Sequence, residues 1–289
     1  MDQEIRKGIK TFFINADASL SPEEGQLQAL FLSGFEVYPL PESRLLPVLD
    51  QIECLVGMFK ELIVFFNVDG ALADGTWPDL ISTLAQTYKE RVRLGVFHHE
   101  TNPARRAAME HFYLMEARVE AGCVYVDHRR TPDMERMHRI LVANQANGRR
   151  KAIRMLCTGR LNVMVAQKRL EAKVLEISVS HFLCSFRDAD PQLIEGTRLN
   201  DVQFMVGGPV LHVDAVVMLK RVAGPQSQEM IYVCGFVRRG KTDLGLDPAD
   251  TKVLIRLIQN YCTTQITDLV QASYQKRWKQ NVLNRPAAS

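Results

Sequence analysis

Gly148-Arg149-Arg150-Lys151-Ala152-Ile153-Arg154 divides this chain of 289 residues into two halves of different character. Before it, short apolar runs alternate with amphipathic helical segments. After it, the hydrophobic period becomes that of strands. Arg150 and Arg154 stand four positions apart, directly ahead of the β-rich half. Two guanidinium forks so placed can fold over one exposed face of a small barrel, with Arg149 adding positive charge beside them. A guanidinium donates two parallel hydrogen bonds, which match phosphate oxygens and the acceptor edge of guanine. The pair suits a compact phosphorylated guanine ligand. An isolated basic hexamer is more often a solvated patch, so its meaning depends on the segments downstream of it.

Twenty-two residues beyond Arg154 stands Glu176-Ile177-Ser178-Val179-Ser180-His181, in a strand-like context. Together the two segments resemble the ligand-binding signature of PilZ domains, Arg-x-x-x-Arg with a later (Asp/Asn)-x-Ser-x-x-Gly. Arg150-Lys-Ala-Ile-Arg154 fits the first motif completely. In the second, Ser178 is present, Glu176 replaces Asp or Asn, and His181 replaces Gly. The resemblance covers roughly residues 148–270, through the strand ending at Tyr232-Val-Cys-Gly235-Phe236 and a terminal helix.

The resemblance implies a six-stranded β-barrel that binds cyclic di-GMP as a second-messenger receptor. It implies that Arg150 and Arg154 grip phosphates and guanine edges while Arg149 assists electrostatically. Glu176 would accept from guanine N–H groups, and Ser178 would bond guanine or phosphate. Glycine in place of His181 would permit positive φ, whereas a residue with a Cβ there costs roughly 1–2 kcal/mol. An ordinary strand conformation at His181 removes that cost, leaving an imidazole that either crowds the ligand or stacks on a base. The competing expectation is a ligand-independent protein-interaction module whose PilZ-like site has degenerated.

The first half reads as five strands alternating with five helices. Strands are expected at Thr11–Asn15, Phe35–Tyr38, Leu62–Phe66, Arg93–Phe97 and Cys123–Val126. Helices are expected from Ser21 to about Leu32, over Ser43–Phe59, Pro78–Arg91 and Ala104–Glu120, and over Asp133–Gln145. Ser21, Pro22 and Glu24 form a capping box. Such alternation implies a parallel, doubly wound sheet, and its order resembles a response-regulator receiver domain. A working receiver needs a phosphoacceptor Asp at the end of its third strand. Asn67 stands there, and an amide cannot form the acyl phosphate. Asn15, Asp17 and Asp69 are the other polar residues of that edge. The half is expected to be a pseudo-receiver spanning residues 1–143, with a PilZ-like domain over 144–289.

The second half offers six strand-like runs: Leu161–Val165, Leu170–Val179, Phe182–Phe186, Thr197–Met205, Val210–Lys220 and Met230–Arg238. Gly207-Gly208-Pro209 and Gly224-Pro225 supply turns. A small closed barrel is expected. Asp247-Pro248-Ala-Asp250 opens a long helix with Val253, Leu254, Leu257, Ile258, Tyr261 and Cys262 on one face, continued by Ile266, Leu269 and Val270. That face is expected to cover one end of the barrel. From Gln275 the basic aromatic tail Lys276-Arg277-Trp278-Lys279 is expected to fray or bind a partner.

Hydrophobic residues at 46% and charged residues at 24% place the chain among ordinary globular proteins. A net charge of +3 argues against a dedicated nucleic-acid binder. Six scattered cysteines with no Cys-x-x-Cys pair fit buried free thiols of a cytoplasmic protein. The charged first residues lack the apolar core of a signal peptide, and no run is long enough to span a bilayer.

His98-His99 with His111, Glu100 and Glu110 lacks metal-ligand spacing. His128 and the Arg238-Arg239-Gly240-Lys241 group fit charged loops. Cys157 with His181 or His212 lacks any local activation of the thiol. No catalytic set, metal or cofactor is expected. The expected role is a non-enzymatic cyclic di-GMP effector with a protein partner in motility or envelope control.

Overall fold

The computed structural model describes residues 8–15, 24–41, 46–72, 75–126, 133–146, 152–186, 193–206, 210–223 and 229–283. They fall into two compact units, residues 1–151 with 263–289, and residues 152–262.

In the first unit, β1 (Lys10–Asn15), β2 (Val37–Pro41), β3 (Leu62–Asn67), β4 (Val92–His98) and β5 (Gly122–Tyr125) form one parallel sheet. Its order is β2-β1-β3-β4-β5, the doubly wound order shared by flavodoxins and receivers. The helices between them are α1 (Glu24–Leu32), α2 (Val48–Met58), α3 (Trp77–Thr87), α4 (Pro103–His111) and α5 (Asp133–Ala143). Every residue of β3 is buried, as a central strand covered on both faces requires. Gly34, at φ +90°, ends α1 in a conformation that favours glycine. Thr76 and Asn102 cap α3 and α4 by accepting backbone N–H bonds, and a proline lies in the first turn of each helix.

Four helices differ from their sequence-based limits, the last of them ending at Ala143 rather than Gln145, which has a φ of +55°. The helix expected over Ser43–Phe59 is shorter at its start: α2 begins only at Val48, after an extended Pro47. The one expected over Pro78–Arg91 is shorter at its end: α3 stops at Thr87, and the chain turns so that Arg91 reaches back to α2. Its guanidinium donates to the carbonyls of Val56, Phe59 and Lys60, capping the end of α2. The segment expected over Ala104–Glu120 closes at Glu116 through a π-helical turn, Phe112–Glu116, in which Ala117 N–H bonds Phe112 O at 2.9 Å. The Ser21-Pro22 part of the expected capping box lies outside the described residues.

β4 ends at His98, whose ring is fully buried with no hydrogen-bond partner on either nitrogen among the described residues. Burial lowers its pKa, outweighing the nearby carboxylates of Asp69 and Glu110 that act to raise it. In the unfolded chain the ring takes up a proton near its ordinary value of about 6.5, while the folded site refuses it. Stability is therefore unaffected by this group at high pH and falls as pH drops below that value. The urea midpoint of the wild type should decline between about pH 7 and about pH 5, and His98→Phe should flatten that decline. An identical slope in the variant would exclude His98 as the cause.

The second unit is a closed antiparallel barrel in the order β10-β11-β8-β7-β6-β9. Its strands are β6 (Met155–Val165), β7 (Lys168–Ile177), β8 (His181–Phe186), β9 (Arg198–Met205), β10 (Val210–Val222) and β11 (Met230–Val237). All six expected strands are present, with β6 starting earlier than its apolar run suggests. Alternate residues fill the interior: Phe182, Phe204, Phe236, Tyr232, Leu161 and Val174 are each at most 2% exposed. Phe182 contacts Phe204 at 4.5 Å and Phe236 at 5.3 Å between ring centroids. The two expected glycine turns lie outside the described residues.

A terminal helix, α6 (Pro248–Leu283), comes after the barrel, and the division between the units falls within it. Its buried stripe runs through Leu254, Ile255, Ile258, Gln259, Ile266 and Val270. Val253 and Leu269, expected on that face, are 46% and 55% exposed. The stripe is rotated by about one residue, so Ile255 and Gln259 take their places. The tail expected to fray is helical through Leu283, and Arg277 bonds Glu53.

Candidate functional site

Ile153 is buried just before β6, and Arg154 stands beside it at the strand's entrance. From there the guanidinium Nη1 donates to Glu176 Oε1 at 3.1 Å. The contact joins one residue of each motif across 22 positions of sequence. Backbone irregularity aims the carboxylate. The β7–β8 register skips a residue between Val174 and Glu176, and the β6–β7 register shifts between Leu156 and Gly159. Val174 and Ile177 are both buried, so an uninterrupted alternation from Val174 would turn Glu176 into the core. The extra residue reverses the parity and leaves Glu176 facing outward, as bulges do beside sites. The pair is partly exposed, with side chains 32% and 19% accessible, so it contributes about 1 kcal/mol at most.

Ser178 sits in the four-residue turn joining β7 to β8 and is 1% exposed. Its hydroxyl donates to His181 O at 2.9 Å and accepts from His181 N–H at 3.1 Å. A backbone bond from Ser178 N–H to His181 O, 2.9 Å, closes the same turn. The local sequence explains this: a serine hydroxyl can bond the backbone a few residues on. His181 opens β8 opposite Gly235, and Ser180 Oγ lies 2.7 Å from its Nδ1. The described non-glycine residues with positive φ are Arg118, Gln145, Ala166, Gln167 and Asp201, so His181 carries no such strain. Arg149 and Arg150 lie outside the described residues.

The other expected constellations separate. His99 N–H donates to Asp69 Oδ2 at 2.8 Å, and Asp69 N–H donates to Asn67 Oδ1 at 2.9 Å. Asn67 itself is buried at the end of β3, where a receiver would carry its phosphoacceptor. Cys157 is buried, and burial pushes its thiol up to about 11, so at neutral pH it is not a nucleophile. All six cysteines are free thiols. Among the described residues, no group of three or more His, Cys, Asp or Glu side chains is placed to hold a metal. Arg238 and Lys241 lie in a turn after β11, with Lys241 N–H bonding Arg238 O at 3.0 Å. Arg239 donates to His212 O. His128 lies outside the described residues. No helix among the described residues is long and apolar enough to cross a membrane.

The second unit has the element order that the resemblance to PilZ domains implies: six closed strands, Arg154 ahead of the first, the Ser178 turn between the second and third, and a helix after the last. Among solved structures the chain is similar to the PilZ domain with c-di-GMP of YcgR from Escherichia coli. Identity is 18%, over 42% of this chain and 98% of that one, at a TM-score of 0.33. It is also similar to the MrkH–c-di-GMP complex of K. pneumonia, with 15% identity over 44% of this chain and 55% of that one, TM-score 0.32. A third is the Bacillus subtilis inhibitor of motility, MotI/DgrA, with 11% identity over 40% of this chain and 52% of that one, TM-score 0.32. The match spans about half the length of the latter two proteins. No protein-family model matches the sequence. No curated protein matches it either.

Proposed function

We propose that this chain is a non-enzymatic effector whose PilZ-like half, residues 144–289, binds cyclic di-GMP. The observation that carries this is the Arg154–Glu176 contact beside the Ser178 turn, which brings the two motif halves together on one side of the barrel. Arg150 and Arg154 grip the phosphates and guanine edges, with Arg149 adding charge. Glu176 accepts from a guanine, while Ser178 holds the turn and His181 borders the base. The Arg154–Glu176 pair is weak enough to exchange: a charge-assisted bond to the ligand is worth ~1.5–3 kcal/mol, against about 1 kcal/mol or less for the ion pair. Binding fixes the Arg149–Arg154 segment against the ligand, and that arrangement is what a protein partner or the receiver-like half, residues 1–143, would sense. Such a signal requires different ligand contacts in two states. The protein acts in the cytoplasm on a motility or envelope partner.

Calorimetric titration with cyclic di-GMP tests this. Saturable heat is expected in the wild type, weakened by roughly 100-fold or more in Arg150→Ala/Arg154→Ala, since two charge-assisted bonds are lost. Absence of binding to the folded wild type, confirmed by equilibrium dialysis, would overturn the receptor role and leave the ligand-independent interaction module.

A further inference from the structure

A groove of about 780 Å³ crosses the outer face of the barrel over β6 and β7, beyond the Arg154–Glu176 site. Its volume is that of a small-molecule site, about 300–1,000 Å³. Arg160 on β6 and Lys173 on β7 line it and are direct cross-strand partners. Side chains so paired have Cβ atoms roughly 5 Å apart, and like charges in that relation repel. No carboxylate among the described residues pairs with Arg160, Lys173 or the neighbouring Arg169. Glu171, two residues before Lys173 on the same outward face of β7, lies in the groove without closing an ion pair to either cation.

Two polar side chains stand beside the pair. Asn162 and Ser185 line the same groove, and their polar atoms are open to it, with no hydrogen-bond partner among the described residues. Ser185 is the cross-strand partner of Lys173, and Asn162 that of Glu171. Both face a cavity beside two cations that have no ion-pair partner among the described residues. Met205 and Phe186 line the groove as well, and low-dielectric walls of this kind strengthen an ion's attraction. Glu171 and Glu229 are its carboxylates.

We propose that this groove binds a phosphate-bearing small molecule. Its anionic group bridges Arg160 and Lys173, with Asn162 and Ser185 supplying hydrogen bonds to the phosphate oxygens. Glu171 accepts from an N–H or O–H on the remainder of the ligand, so a nucleotide with an amino-bearing base fits better than a bare polyanion. Arg160 lies six positions beyond Arg154, roughly 20 Å along an extended chain. The groove is a second site, and it stands whether or not the first binds cyclic di-GMP.

The test uses the full ¹⁵N-labelled chain, titrated with inorganic pyrophosphate and separately with GMP. Saturable shifts are expected at Arg160 Nε–H, the Asn162 side-chain amide and the Ser185 backbone amide with at least one probe. Arg160→Met/Lys173→Met should weaken that binding by roughly tenfold or more while leaving the remaining spectrum in place. Lys173→Met alone serves if the double variant does not fold. Arg154→Ala should leave the binding unchanged. Absence of saturable shifts with either probe at millimolar concentration would overturn the proposal. So would wild-type affinity in the Met variants, or loss of the shifts in Arg154→Ala, which would assign them to the Arg154–Glu176 site.

Discussion

Gly95→Ala is expected to destabilise the parallel-sheet unit by about 3 kcal/mol, the upper range for overpacking a core. Gly95 on β4 is the cross-strand partner of Phe65 on β3. A Cβ at this position would lie 2.3 Å from Phe65 Cε1 and 2.6 Å from Cδ1. The ring has no room to yield: Phe65 is fully buried and stacks on Phe13 at 5.6 Å, which itself meets Phe97 edge-on at 5.8 Å. Close packing transmits such a displacement rather than absorbing it. The measurement is hydrogen exchange across β3 and β4, where protection should drop, together with a lower urea midpoint read from tryptophan fluorescence. Both tryptophans, Trp77 and Trp278, belong to this unit, so the optical signal reports on it. Unchanged protection would mean that the Phe65 ring can move aside.

Phe182→Ala is expected to cost the barrel about 3–5 kcal/mol, the usual range for truncating a buried phenylalanine. The ring is fully buried and meets both Phe204 and Phe236, so its removal opens a cavity bordered by two aromatic rings from different strands. A closed barrel cannot collapse onto such a void without breaking its ladders. The barrel holds no tryptophan, so the loss should appear as faster amide exchange in β8, β9 and β11 rather than as a fluorescence change. Phe182→Leu should recover most of the loss, because much of the volume is retained. Exchange in Phe182→Ala at the wild-type rate would show that the cluster is not what holds the barrel closed.

Much of this architecture is legible residue by residue. The continuous run Leu62–Phe66 announces a strand buried on both faces, and the alternation in Phe182–Phe186 announces a barrel wall. Helix ends are less legible, because they depend on distant groups. Nothing near Thr87 in sequence reveals that Arg91 must turn back to the carbonyls ending α2. The stripe of α6 departs from its expected position for a related reason. Val253 and Ile255 are comparably apolar, and only the packed partner selects which of them is buried.

At the candidate site, motif spacing names Arg154, Glu176, Ser178 and His181, but not what they do for one another. The break in alternation between Val174 and Ile177 is a sequence signal for the bulge that faces Glu176 outward. The occupation of the Ser178 hydroxyl by its own turn is open to inference from a serine three residues before His181. The groove beyond has no such signal. Arg160, Lys173 and Ser185 are scattered along the chain as ordinary exterior strand positions.

The order of elements, the change from α/β to β, the buried strands and the basic segment between the halves were determined by the sequence alone. Each is written in local periodicity, which depends only on neighbouring side chains. Tertiary structure decided the contact between Arg154 and Glu176, the opposition of Arg160 to Lys173, and the burial of Phe65 against a glycine. Each of these depends on the register between strands, which is set by hydrogen-bonded ladders and bulges joining residues far apart in the chain.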